Sequence, residues 1–149
     1  MDSVHIDLKE LKSSCVNIKI LYVEDSVELR DKMGIFLEKI FTSVTTAQNG
    51  IEALEFFKNS DYDLVITDIQ MPQMDGMELS RELKNINPDQ EIIIVSAFTD
   101  SEYFTESIRL GVSGYIIKPI DFNQILSVIS QTVKKINIVN ENSTSYTLF

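Results

Sequence analysis

Five short runs of apolar, largely β-branched residues recur along the chain, at Ile18 to Val23, Val44 to Ala47, Leu64 to Thr67, Ile92 to Val95 and Tyr115 to Ile117. Most are unbroken and do not alternate with polar residues, the pattern of strands covered on both faces. Stretches with helical spacing follow each of them. Leu29, Met33, Phe36, Leu37 and Ile40 mark the first, and Ile51, Leu54 and Phe57 the second. Met77, Leu79 and Leu83 mark the third, Phe104 and Ile108 the fourth, and Ile125, Val128, Ile129 and Val133 the fifth. Ser26, Asn49, Asp75 and Asp121 are placed to cap these helices, Asn59 and Gly111 to stop them, and Pro88 punctuates the loop before the fourth strand. Five βα units in this order predict an α/β fold, an open parallel sheet with right-handed crossovers and helices on both faces.

Two segments fall outside the repeat. Val4, Leu8, Leu11 and Cys15 share one helical stripe, so residues 1–16 read as an extension, either a short amphipathic helix or a frayed end. Residues 137–149, with the run from Asn140 to Ser145, read as a polar tail or the start of a linker. The folded domain is expected over residues 17–136. At 149 residues the chain has room for one core and not for two.

The formal net charge is −10, from 23 acidic and 13 basic residues, a balance that repels nucleic acid backbones and anionic membranes. Direct nucleic acid binding by this segment is not expected. No apolar run approaches the roughly 18 residues of a membrane span, and residues 1–17 lack the basic start and apolar centre of a signal peptide. A soluble cytoplasmic protein is the expectation. Cys15 is the only cysteine, which excludes an internal disulfide and a thiolate metal site; His5 is likewise alone, in a peripheral segment.

In open parallel sheets the functional crevice lies beyond the carboxyl ends of the strands. There the polar residues collect: Glu24 and Asp25 after the first run, Asp68 after the third, Ser96 after the fourth, and Lys118 after the fifth. A carboxylate ending a buried strand is costly unless something compensates for it. A divalent cation would do so, because carboxylates, a backbone carbonyl and waters form the oxygen set that magnesium prefers, with manganese able to substitute. Without metal the carboxylates repel one another and their pKa values rise, so the cation should be lost as pH falls. Lys118 supplies a point charge and Ser96 a hydroxyl, the groups that positioning and neutralising a phosphoryl group require. Asp68 would then be the nucleophile, forming an acyl phosphate. Singly, these residues have plainer roles, as helix caps, a surface charge and a turn residue. Their joint occurrence at successive strand ends is what points to chemistry.

Five stretches carry a family resemblance: Leu21-Tyr22-Val23-Glu24-Asp25, the strand end at Asp68, Met71-Pro72-Gln73-Met74-Asp75-Gly76, Ser96-Ala97, and Tyr115-Ile116-Ile117-Lys118-Pro119. Over about residues 17 to 135 the chain resembles the receiver domain of bacterial two-component response regulators, and the Met-Pro-x-Met-Asp-Gly loop is the most specific part of the match. The resemblance implies a flavodoxin-like, doubly wound (βα)5 domain with sheet order 2-1-3-4-5. It implies that Asp68 accepts a phosphoryl group from a phosphohistidine on a sensor histidine kinase or a phosphotransfer protein, with Lys118 and Ser96 assisting. Magnesium would be held by Asp25, Asp68, the backbone carbonyl of Gln70, and Glu24 through water. The Lys118–Pro119 bond would be cis. Ser96 and Tyr115 would act as the switch, carrying the signal to the face formed by the fourth and fifth helices of the repeat and the fifth strand, where an output domain or target protein is engaged.

Three positions depart from the usual pattern. Glu24 stands where many members have Asp, and Phe98, two residues beyond Ser96, is expected to slow hydrolysis of the acyl phosphate by its bulk. Gly114 replaces an acidic residue of the DNA-binding subfamily, so that subfamily's charged dimer interface is not expected, although a phosphorylation-dependent homodimer stays open. Two other functions compete. An aspartyl phosphohydrolase would carry a second Asp two residues after the nucleophile as its acid and base, where this chain has Gln70. A pseudo-receiver, a binding module without phosphorylation, would have no need of the full set of acids and lysine. The chain is therefore expected to be a signalling domain and not a turnover enzyme, catalysing only its own phosphorylation and slow dephosphorylation.

Overall fold

The computed structural model describes residues 6–97 and 101–147, with the backbone alone at 101 and 143–147. Five strands are present in it: β1 (Lys19–Val23), β2 (Ser43–Ala47), β3 (Leu64–Asp68), β4 (Glu91–Ser96) and β5 (Gly114–Ile117). They form one parallel sheet of order β2-β1-β3-β4-β5, as the resemblance implies. The helices are α1 (Leu8–Ser14), α2 (Val27–Glu38), α3 (Gly50–Asn59), α4 (Gly76–Ile86), α5 (Ser101–Leu110) and α6 (Phe122–Thr147). Because α1 precedes the repeat, the repeat's fourth and fifth helices are α5 and α6.

Strand parity divides the core in two. Ile20 and Tyr22, Leu64 and Ile66, Ile93 and Val95, and Ile116 face one layer, packed by Met33 and Leu37 of α2 and Ile125, Ile129 and Val133 of α6. Leu21 and Val23, Val65, and Ile92 and Ile94 face the other, against Ala53 and Phe57 of α3 and Met77, Leu79 and Leu83 of α4. Every strand of the central three is thus apolar at both parities, which is why the runs read as continuous. Burying a side chain of this size contributes about 1.5–3 kcal/mol, so these layers dominate the stability of the fold.

The caps lie where the sequence places them. Ser26, Asn49 and Asp75 accept from the backbone N–H three residues on, at 3.4, 2.8 and 2.8 Å, and Asp121 accepts from Asn123 N–H at 2.9 Å. Gly111, just past α5, takes φ of 73°, a conformation open to glycine.

The N-terminal extension is helical from Leu8. Asp7 caps it, Leu11 and Cys15 are buried beside Val133 and Ile136, and Asn137 Nδ2 donates to the Ser14 carbonyl at 3.1 Å. Val4 and His5 lie outside the described residues, as does Phe98. Where a polar tail was expected from residue 137, the chain continues α6 as far as Thr147; no Gly or Pro follows Pro119 to stop the helix.

In α5, Phe104 and Ile108, whose spacing marks this helix in the sequence, are exposed, and Tyr103, Ser107 and Leu110 turn inward. Two apolar positions four apart mark a stripe without fixing which side it faces. On the other side of β5, Gly114 receives α6 so closely that a Cβ on it would lie 2.4 Å from Val128 Cγ1.

Candidate functional site

The carboxyl ends of β1, β3, β4 and β5 bring the sequence-predicted residues to one rim. Asp68 is the last residue of β3 and only 6% exposed, and Glu24, which follows β1, is 1% exposed. Asp25, next in the loop, is exposed. Carboxylate oxygens of Glu24, Asp25 and Asp68 all lie within 4.8 Å of one another. Lys118, after β5, reaches both buried acids, with Nζ 3.1 Å from Glu24 Oε1 and 3.1 Å from Asp68 Oδ2. Its backbone N–H donates to the Ser96 carbonyl at 2.7 Å, and the Lys118–Pro119 bond is cis. Ser96 ends β4 and is fully buried, in register with Ile117.

The electrostatics follow from burial and crowding. Burial, the largest influence, holds the Glu24 carboxyl above its ordinary value; bonds from Ser26 N–H and Lys118 oppose this, and Asp25 and Asp68 add to it. Burial works against the Lys118 charge, but the carboxylates of Asp68 and Glu24 outweigh it and raise its pKa. Beneath the acids, Tyr22 is 2% exposed, and burial, then Glu24 and Asp68, push its phenol well up. A negative pocket this tight favours any cation that enters it.

The loop from Met71 to Gly76 has a local reason for each special residue. Gln73 takes φ of 71°, and Gly76 N–H donates to the Ile69 carbonyl at 2.8 Å. Asp75 then caps α4. This wraps the loop beside Asp68 and forms a cleft of about 380 Å³ lined by Asp25, Ile69, Gln70, Met71, Pro72, Asp75 and Tyr103. The oxygen donors fit a hard divalent cation: two buried carboxylates, an exposed one, and the Gln70 segment along the same cleft. Both Glu24 oxygens are engaged, Oε1 by Lys118 and Oε2 by Ser26 N–H at 3.1 Å, which suits contact through water better than direct ligation.

Tyr115 is half-buried on β5 and meets Phe104 edge-on, with ring centroids 5.5 Å apart and planes at 89°. It thus ties β5 to the outward-facing Phe104 of α5, and Ile108 and Ile117 are exposed as well. Arg81 of α4 pairs with Glu106 of α5.

Sequence reasoning missed two residues at the site. Tyr103 lines the cleft from α5, and Arg30 of α2 donates from Nη1 to the carbonyls of Glu24 at 2.9 Å and Asp25 at 3.4 Å. The helical register was the available signal for Arg30, which lies one turn into α2 and can fold back over the loop before the cap.

A family model of the response regulator receiver domain matches residues 20–130, and the chain belongs to that family. It is 34% identical over 115 residues to the chemotaxis protein CheY of Halobacterium salinarum, covering 77% of this chain and 96% of CheY. It is 32% identical over 116 residues to the transcriptional regulatory protein ZraR of Klebsiella oxytoca, where it covers 78% of this chain and 26% of ZraR. The chain thus spans about a quarter of that regulator's length. The response regulator protein TrrA of Thermotoga maritima, solved in complex with Mg(2+)-BeF, matches with a TM-score of 0.70 and 30% identity over 77% of this chain and 98% of TrrA. The α1 helix and the end of α6 lie outside the matched residues.

Proposed function

We propose that this receiver domain is a phosphoacceptor whose aspartate, Asp68, takes a phosphoryl group from a phosphohistidine of a partner kinase or phosphotransfer protein. The observation that carries this reading is Lys118 Nζ at 3.1 Å from both Glu24 and Asp68, with Asp25 completing a three-carboxylate cluster. An Asp68 oxygen attacks phosphorus as the phosphorus–nitrogen bond breaks; the imidazole leaves and recovers its proton from water. Asp25, Asp68, the Gln70 carbonyl and, through water, Glu24 would hold Mg2+, which when bound supplies positive charge for the phosphoryl oxygens. Lys118 adds its ammonium and Ser96 its hydroxyl.

The relay runs from Ser96 and Tyr115 to the surface of α5, β5 and α6, where Phe104, Ile108 and Ile117 expose apolar side chains to an output domain or target. The domain is read as a signalling switch in the cytoplasm and not as a turnover enzyme, because the position two residues after Asp68 is the exposed Gln70, which cannot exchange protons. Incubation with acetyl phosphate or beryllofluoride and Mg2+ tests this: a modification or spectral change is expected in the wild type and lost in Asp68→Asn. No response in the wild type would leave an inert binding module. Multiple-turnover phosphate release from a monoester would make it a phosphohydrolase.

A further inference from the structure

We infer that Arg30 is a positioning residue for the divalent cation, holding the Glu24–Asp25 loop so that its carboxylates face Asp68; this rests on the metal-binding reading above. Glu24 is restrained at every polar group. Its N–H donates to the Ala47 carbonyl at 3.1 Å, Oε2 accepts from Ser26 N–H at 3.1 Å and Oε1 from Lys118 at 3.1 Å. Arg30 Nη1 supplies the bond to its carbonyl, at 2.9 Å, and reaches on to the Asp25 carbonyl at 3.4 Å.

Asp25 depends on this contact more than Glu24 does. Its side chain is exposed, so packing does not hold it, and rotation of the peptide joining the two acids would swing its carboxylate off the cleft. A single charged nitrogen, Nη1, shared between two successive carbonyls opposes that rotation. The bonds are charge-assisted, about twice as strong as neutral ones, and the planar group cannot turn without breaking them. Arg30 also approaches from the carbonyl side of the loop, so its charge does not take the place of the cation. A lysine ammonium can donate to a carbonyl but stands on a stem one atom shorter, and a methionine keeps no donor at all.

The test is a Mn2+ titration by calorimetry on the full chain as wild type, Arg30→Lys, Arg30→Gln and Arg30→Met, with Asp25→Asn as the control for a lost ligand and thermal melts in EDTA for each. Arg30→Met is expected to bind Mn2+ about ten- to a hundredfold more weakly, with Arg30→Lys between it and the wild type and metal-free melts little changed. Acetyl phosphate labelling should then need more Mn2+ for half-saturation yet reach the wild-type plateau. Wild-type affinity in Arg30→Met overturns the inference. So does a loss of affinity that tracks the EDTA melts across the three substitutions, since that is a folding defect. A wild type that binds no better than Asp25→Asn overturns the metal reading itself, and the inference with it.

Discussion

Gly76 stands so close to the end of β3 that a Cβ on it would lie 2.1 Å from the Asp68 carbonyl oxygen and 2.9 Å from Ile69 Cα. The obstructing atoms are backbone, so no side chain can move aside. Gly76→Ala must push the start of α4 away from the end of β3, at a cost of about 1–3 kcal/mol. Urea unfolding should give a lower midpoint with an unchanged slope, and Mn2+ should bind more weakly as the cleft opens.

A single substitution at Lys118 separates its ion pairs with Glu24 and Asp68 from the part in phosphoryl transfer proposed above. Replacing it by Met removes the ammonium 3.1 Å from both Glu24 and Asp68, so the cluster becomes more negative. Mn2+ should bind more tightly, by up to about tenfold, since one unit charge at 4 Å is worth about 1 kcal/mol in water and more in a partly buried site. Phosphorylation by acetyl phosphate should slow by at least about a hundredfold, because a charge-stabilising donor is gone. A calorimetric titration and a labelling time course on the same variant give the two opposite signs.

Glu24 makes the metal-free domain sensitive to pH. Its folded pKa is raised above the unfolded value, so the stability tied to its protonated form is fully present below the unfolded pKa and is lost as pH rises through the folded one. Glu24→Gln should therefore stabilise the domain in EDTA at pH 7 and change it little at pH 4. In Mg2+ the advantage should shrink or reverse, since a negative charge near the cation is lost. Urea midpoints at the two pH values, with and without Mg2+, measure this.

Cys15 reports on α1. Burial pushes its thiol from an ordinary value of 9.0 up to about 12. The raised pKa means stability that is intact below pH 9 and lost progressively as pH climbs toward 12, where the unfolded thiol ionises and the folded one does not. Cys15→Ala should flatten that alkaline decline. In the native wild type at pH 8 the thiol should be inert to a disulfide reagent and react stoichiometrically in urea.

The sheet was legible because both parities of its inner strands are apolar, and the rim because Glu24, Asp25, Asp68, Ser96 and Lys118 each interrupt that pattern at a strand end. Such interruptions are visible one residue at a time. Arg30 is harder to find, since its bonds go to main-chain carbonyls and helical register alone points to them. Phe104 and Ile108 leave the facing of α5 open for a different reason: apolar residues exposed on α5 have the same spacing as buried ones, and only the packing of Tyr103, Ser107 and Leu110 fixes the rotation of the helix. The end of α6 is helical for want of a breaker, a weaker signal than its run of Asn, Ser and Thr.

At Gly114 the side chain of Val128 rests on bare main chain, with no cushion between strand and helix. The two are geared together. If Tyr115 turns as proposed above, a shift of β5 at this point would meet Val128 directly and be passed to α6. One methyl group at position 114 would act as a wedge in that gear, prising α6 from β5 at a point well away from the carboxylates.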